Sequence, residues 1–238
     1  MISFGSRKLK YQCFAPNKDQ SEVINHLTGE VQKEKRNVLV ESARIARGNV
    51  KDLKELNSED YDAVFFPGGF GAAKNLSNFA TKGTELSIDP EVERVLQDFH
   101  SNSKPIGLAC ISPVLAAKVF GASDKLKITL GNKGEGWPYK DAIGKFIIFF
   151  LFYNDFIDAV EKLGATHIAK QVLSYYADTR NLVFTTPAFM RDTTNFSEIS
   201  TGIDNLVGGV EKTLVEIREA TKAKKEQKKL KRQEKSDQ

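Results

Sequence analysis

The chain has 238 residues, 40% of them apolar and 28% charged, with a formal net charge of +4. That length can bury a sizeable core, and the composition is that of one ordinary globular domain rather than a fibre or an unfolded chain. The positive charge is local: residues 222–238 hold eight Lys or Arg against three acids, which leaves −1 elsewhere and no basic surface for nucleic acid.

Cys13 and Cys110 are the only cysteines, with no CxxC pair and no Cys/His cluster, so the pattern supports neither a disulfide framework nor a zinc site. Residues 1–12 are too polar for the apolar part of a signal peptide. The longest apolar run, Phe146 to Tyr153, has eight residues against the roughly 20 that cross a bilayer. Neither a membrane nor a nucleic acid is an expected partner; a homo-oligomer is left open.

In chain order, Leu9–Ala15 reads as a strand ending at Pro16, and Val38, Leu39, Ser42, Ile45 and Ala46 recur at helical spacing until Gly48. Tyr61–Phe66 is a short apolar run cut off by Pro67-Gly68-Gly69, the pattern of a parallel strand covered on both faces. Asp89-Pro90 opens a helix whose apolar face is Val92, Val95, Leu96 and Phe99. Pro105–Cys110 is a second buried strand, followed at once by a helix from Pro113 to about Phe120, the strand Leu126–Leu130 and a Gly-rich loop to Pro138. Thr166–Lys170 and Asn181–Thr186 predict two late strands, and Ile203, Leu206, Val207, Val210, Leu214 and Ile217 stripe a long last helix. Strands alternating with helices predict an α/β fold, a doubly wound, mostly parallel flavodoxin-like sheet. Residues 1–221 are expected to form this domain and the lysine-rich residues 222–238 a disordered tail.

Two features break the pattern. A doubly wound domain opens with a central strand and helix, yet about a dozen residues precede Pro16, so the first strand is expected to be missing. The second is the insertion Gly144–Ile157, GKFIIFFLFYNDFI, whose flanks Asp141-Ala142-Ile143 and Asp158-Ala159-Val160 nearly duplicate each other. Its excision joins WPYKDAI to DAVEKLGA, and it reads as a translated intron, with a genuine extra apolar hairpin or helix as the alternative.

The candidate catalytic residue is Cys110. Between a buried strand and a helix, a sharp nucleophile-elbow turn lifts its side chain above the carboxyl edge of the sheet, where such folds place their sites. Unpaired amides at the start of the following helix are expected to lower its pKa, and Ser112 to cap that helix. Gly68 and Gly69 follow the neighbouring strand, where a backbone amide can approach a substrate oxygen; with the Ile111 amide they form a candidate oxyanion site. Lys74 and Asn75, after the Gly-Gly turn, and Asn132 and Trp137, in the Gly-rich loop, are the other candidate pocket residues. His26, His100 and His167 all fall away from this turn, which argues against a Cys-His-Glu glutaminase.

The blocks PGGFGAAKNLSNFA (67–80), NVLVESARIARG (37–48), KPIGLACISPVLAAKVF (104–120), INHLTGE (24–30) and TTPAFM (185–190) resemble the ElbB-type branch of the PfpI superfamily, a glutamine amidotransferase-like class I domain. The resemblance covers residues 9–218 apart from 144–157. It implies a flavodoxin-like fold, a cysteine at the Cys110 position and, for the bacterial relatives, conversion of glyoxal, a small carbonyl substrate, to glycolate without metal or organic cofactor. It also implies a proton-shuttling glutamate just after the first strand, a segment this sequence does not contain, so the chain as written is expected to be inactive. The alternative is a non-catalytic redox-sensing or interaction protein of the same fold. ESARIARG and KPIGLACISPVLAAKV are most similar to animal relatives of the mitochondrion, which is the expected location, with the cytoplasm as the alternative.

Overall fold

The apolar runs before Pro67 and at Ile106–Ala109 form adjacent parallel strands, and the elements that position Cys110 are built around them. A computed structural model describes residues 1–132, 137, 156–191, 193 and 195–236. In chain order the elements are α1 (Ile2–Ser6), β1 (Cys13–Ala15), β2 (Val23–Ile24), β3 (Val31–Gln32), α2 (Val38–Ala46), β4 (Val50–Asp52), β5 (Val64–Phe66), α3 (Phe70–Lys74) and α4 (Phe79–Lys82). There follow α5 (Pro90–Ser101), β6 (Ile106–Ala109), α6 (Pro113–Asp124), β7 (Lys127–Ile128), α7 (Phe156–Lys162), β8 (Thr166–His167), β9 (Tyr176–Asp178), β10 (Val183–Thr186) and α8 (Phe196–Ser236).

The largest sheet has the order β5-β6-β10-β9, parallel except for β9. All four residues of β6 are buried, and Gly107 lets the Phe65 ring lie across the strand: a Cβ there would come within 2.4 Å of it. The parallel pair β7–β8 abuts β10, where Thr129 N–H donates to Thr185 Oγ1 at 2.8 Å. The parallel pair β1–β4 meets the main sheet through side chains, with the Phe14 ring edge-on to Tyr61 at 5.5 Å. Among the described residues β5 pairs only with β6. The architecture is the mostly parallel α/β arrangement that the alternation of elements predicts.

Helix signals in the sequence act as expected. Asp89 Oδ1 accepts from Glu91 N–H at 3.0 Å, Pro90 opens α5, and Val92, Val95, Leu96 and Phe99 are fully buried. Asn37 Oδ1 accepts from Leu39 and Val40 N–H at 2.9 and 3.1 Å, and Arg47 and Gly48 end α2 with positive φ. Asn37→Ala should therefore cost about 1 kcal/mol. A drop in the urea midpoint at constant slope would register it, and an unchanged midpoint would show that the cap does not matter.

The assigned strands are shorter than the apolar runs suggest: three residues of Leu9–Ala15 and two each of Leu126–Leu130 and Thr166–Lys170 are in ladders, although Ile168 and Lys170 N–H still donate to Ile128 O and Gly131 O at 2.8 Å. The C-terminal expectation is corrected. α8 packs Ile199, Leu206, Val207 and Val210 into the core, is held by Arg7 to Asp204 and Glu211 at 2.6 and 3.0 Å, and continues through Ser236. Every side chain described from 222 to 233 is exposed, yet Lys, Glu, Gln, Ala and Leu are strong helix formers and no Pro or Gly interrupts them. Of the anomalous insertion, residues 144–155 lie outside the described residues; Phe156 and Ile157 open α7 and are buried, Phe156 beside Phe79.

Candidate functional site

Three parallel strands end on one edge. Phe66 pairs with Leu108 and Ala109 with Thr186, so the turns Pro67-Gly68-Gly69, Cys110-Ile111-Ser112 and Pro187-Ala188-Phe189 leave the sheet side by side. Each turn carries backbone in the left-handed region: Gly68 at φ 97°, Gly69 at 80°, Cys110 at 58° and Ala188 at 46°. A positive φ is rare for cysteine and alanine, and strain of this kind concentrates at functional sites. The Cys110 turn is tied down by its N–H, which donates to Thr186 O at 3.1 Å. Gly68 is glycine because of contact as well as φ: a Cβ would fall 2.5 Å from Ala109 O and 2.7 Å from Cys110 Cβ.

The consequence is a thiol inside a ring of donors. The backbone N–H groups of Gly69, Ile111 and Phe189, one from each turn, lie near enough to Cys110 Sγ to favour its charged form, and Met190 Sδ lies 3.9 Å from it. Burial is the largest influence on the thiol and pushes its pKa up, and the three amides pull it down without overcoming that. The expectation of a lowered pKa is corrected: the helix amides are present, but the cost of placing a charge among Ala109, Ile111, Ala188 and Met190, all buried, is larger. Ser112 is corrected too. Its backbone is already helical at φ −58° and ψ −27°, so its hydroxyl does not reach the amides a cap would bind; buried, it has no hydrogen-bond partner among the described residues.

Gly68, Gly69 and Ile111 thus stand at Cys110 as the sequence suggests. Phe189 and Met190, which reasoning from spacing missed, stand there with them. The signal was the end of the last parallel strand at Thr186-Pro187, but the turn that aims the Phe189 amide depends on a left-handed alanine no sequence pattern announces. Lys74 forms an ion pair with Glu22, and Asn75 Oδ1 accepts from Ser21 N–H at 2.8 Å, so both clasp the segment before β2. Asn132 is half-buried after Gly131, and Trp137 is buried with its ring against Gly131, beyond the end of β7. Among the described residues no carboxylate or imidazole bonds to the thiol: His100 stacks on Phe120, and Thr186 Oγ1 donates to Ser174 O. A surface cleft of about 420 Å³ lies elsewhere, between Arg7, Lys170, Tyr175 and Lys212, and Cys110 does not line it. Among the described residues no helix is long and apolar enough to cross a membrane.

A human protein, glutamine amidotransferase-like class 1 domain-containing protein 3, mitochondrial, is 47% identical over 186 residues, 76% of this chain and 63% of that protein. The mitochondrial ES1 protein homolog of Rattus norvegicus is 46% identical over 198 residues, 82% of this chain and 68% of that one. The chain belongs to the ES1 family of glutamine amidotransferase-like class 1 proteins. It spans about two thirds of the length of these relatives, 63% and 68%. No family model matches it. Among solved structures, an isoprenoid biosynthesis protein with an amidotransferase-like domain from Ehrlichia chaffeensis is 31% identical, with a TM-score of 0.74 over 90% of this chain and 88% of that one. Glyoxalase III from Candida albicans, 17% identical, shares the fold with a TM-score of 0.51 over 87% of this chain and 83% of its own.

Proposed function

We propose that this ES1-family protein acts on small reactive carbonyls of the glyoxal class through the thiol of Cys110. The observation that carries the reading is the convergence of three backbone N–H groups, from the ends of three strands, on one sulfur. Such a nest favours negative charge on whatever occupies it, first a thiolate and then the oxygen of an adduct. In the step proposed, Cys110 Sγ bonds to an aldehyde carbon and the C=O pair moves to oxygen, giving a hemithioacetal whose oxyanion the Gly69 and Ile111 amides can hold. Transfer of hydrogen to the adjacent carbon and hydrolysis of the thioester complete glyoxal plus water to glycolate plus a proton. The first carbon is oxidised as the second is reduced, so no outside electron acceptor is consumed.

The proton shuttle that turnover requires is a carboxylate, and addition to the thiol is therefore the step to read first. Glyoxal should protect Cys110 saturably from iodoacetamide, with peptide mapping to separate it from Cys13, while carbon-13 NMR follows glycolate. Absence of both protection and glycolate would end the reading. The redox-sensing alternative needs an accessible thiolate as the carbonyl reading does, and the half-buried Cys110 has its pKa pushed up for both, so glycolate formation is what separates them. Location in the mitochondrion is supported by the relatives that carry that word in their names.

A further inference from the structure

We infer that Arg191 is the specificity residue of the Cys110 site and that the preferred carbonyl compound carries a carboxylate a short reach from its reacting carbon. The inference rests on the reading of Cys110 as the group that adds to the carbonyl. Arg191 directly follows Met190, whose Sδ lies 3.9 Å from Cys110 Sγ, and is two residues beyond Phe189, whose amide favours the charged form of that sulfur. Its guanidinium lies over the Trp137 indole, 6.0 Å from the ring centroid, on the same sheet edge.

Partial burial with no carboxylate partner among the described residues sets it apart. Arg7, Arg36, Arg44, Arg94 and Arg218 each reach a carboxylate. Arg47, Arg180 and Arg232 reach none among the described residues, and they are exposed to water. Arg191 is half-buried, held against an aromatic face, and has no carboxylate among the described residues. A guanidinium partly removed from water without a counter-charge gives up hydration that a bound anion would restore. Its planar fork matches a carboxylate in two parallel hydrogen bonds, and the indole holds it by a cation–π contact meanwhile. A short aldehyde or 2-oxoaldehyde with a terminal carboxylate would then place its carbonyl at Sγ and its charge at Arg191.

The test needs no turnover, so it stands apart from any failure of the glyoxal reading. Iodoacetate and iodoacetamide alkylate a thiol by the same displacement: the C–S bond forms, the C–I bond breaks and iodide leaves with the pair. They differ in carrying a carboxylate or a neutral amide. At Cys110, resolved from Cys13 by peptide mapping, the iodoacetate-to-iodoacetamide rate ratio should exceed that of free cysteine about tenfold at low salt and shrink as salt is added. Arg191→Met should return the ratio to that of free cysteine, and Arg191→Lys should keep part of the preference. Circular dichroism checks that both variants are folded; if Arg191→Met is not, the salt dependence and Arg191→Lys decide. A ratio at Cys110 equal to that of free cysteine, one that salt leaves unchanged, or no alkylation by either reagent would overturn the assignment.

Discussion

Cys110→Ser should abolish adduct formation with glyoxal, by at least about 10³-fold in rate, while unfolding in urea stays close to wild type. The large effect follows from the chemistry, since a serine hydroxyl gives no usable nucleophile without a base and none bonds to this position among the described residues. The small effect on folding follows from shape. Serine is slightly smaller than cysteine, and its oxygen can accept from the Gly69, Ile111 and Phe189 amides, so no donor is left bare. Mass spectrometry after exposure to glyoxal, with any glycolate followed in parallel, reads both parts. A serine variant that forms the adduct or glycolate at the wild-type rate would remove the thiol from the mechanism.

Gly68→Ala carries the largest expected effect on stability. The position has φ 97°, where an L-residue costs about 1–3 kcal/mol. The added methyl would also lie 2.5 Å from Ala109 O, a backbone atom that cannot swing aside, and 2.7 Å from Cys110 Cβ. Overpacking of this kind adds about 1–3 kcal/mol, so the total is about 3 kcal/mol or more, a large part of a domain's stability of about 5–15 kcal/mol. Relief would come by moving the Gly68-Gly69 turn away from β6, which draws the Gly69 amide off the sulfur. Urea unfolding and the rate of Cys110 alkylation should therefore change together. Gly71→Ala is the control, since a Cβ there meets nothing within 4 Å. Equal stability of the two variants would show that the close approach at Gly68 does not constrain the site.

The residues explain why some of this was legible in the sequence and some was not. The runs before Pro67 and up to Cys110 are apolar on both faces and bounded by Pro and Gly, so their burial between layers could be read directly. Cys110 at the end of one and Gly68-Gly69 at the end of its neighbour then fixed two sides of the site. What escaped depends on contacts between distant segments. The third amide, from Phe189, requires Ala188 to adopt a conformation alanine rarely takes. Lys74 meets Glu22 from 52 residues away, and Arg191 meets Trp137 across the end of β7. The pKa of Cys110 was misjudged because helix amides can be inferred from sequence, whereas the density of apolar atoms around the sulfur cannot. The long last helix was cut short because a run of lysines suggests solvent, and solvent exposure does not prevent a helix.

The most direct measurement of the central claim, a half-buried neutral thiol beside three backbone amides, is the pH dependence of Cys110 alkylation by neutral iodoacetamide. Reactivity requires the thiolate, and burial raises the folded pKa above that of the unfolded chain. The neutral thiol then contributes stability that is fully present below the unfolded pKa and is lost as pH rises through the folded one. The rate at Cys110 should accordingly climb with pH to a midpoint above that of free cysteine measured with the same reagent, with stability declining across the same interval. A midpoint below that of free cysteine would contradict the account, because the amides would then outweigh burial and the resting site would hold a thiolate.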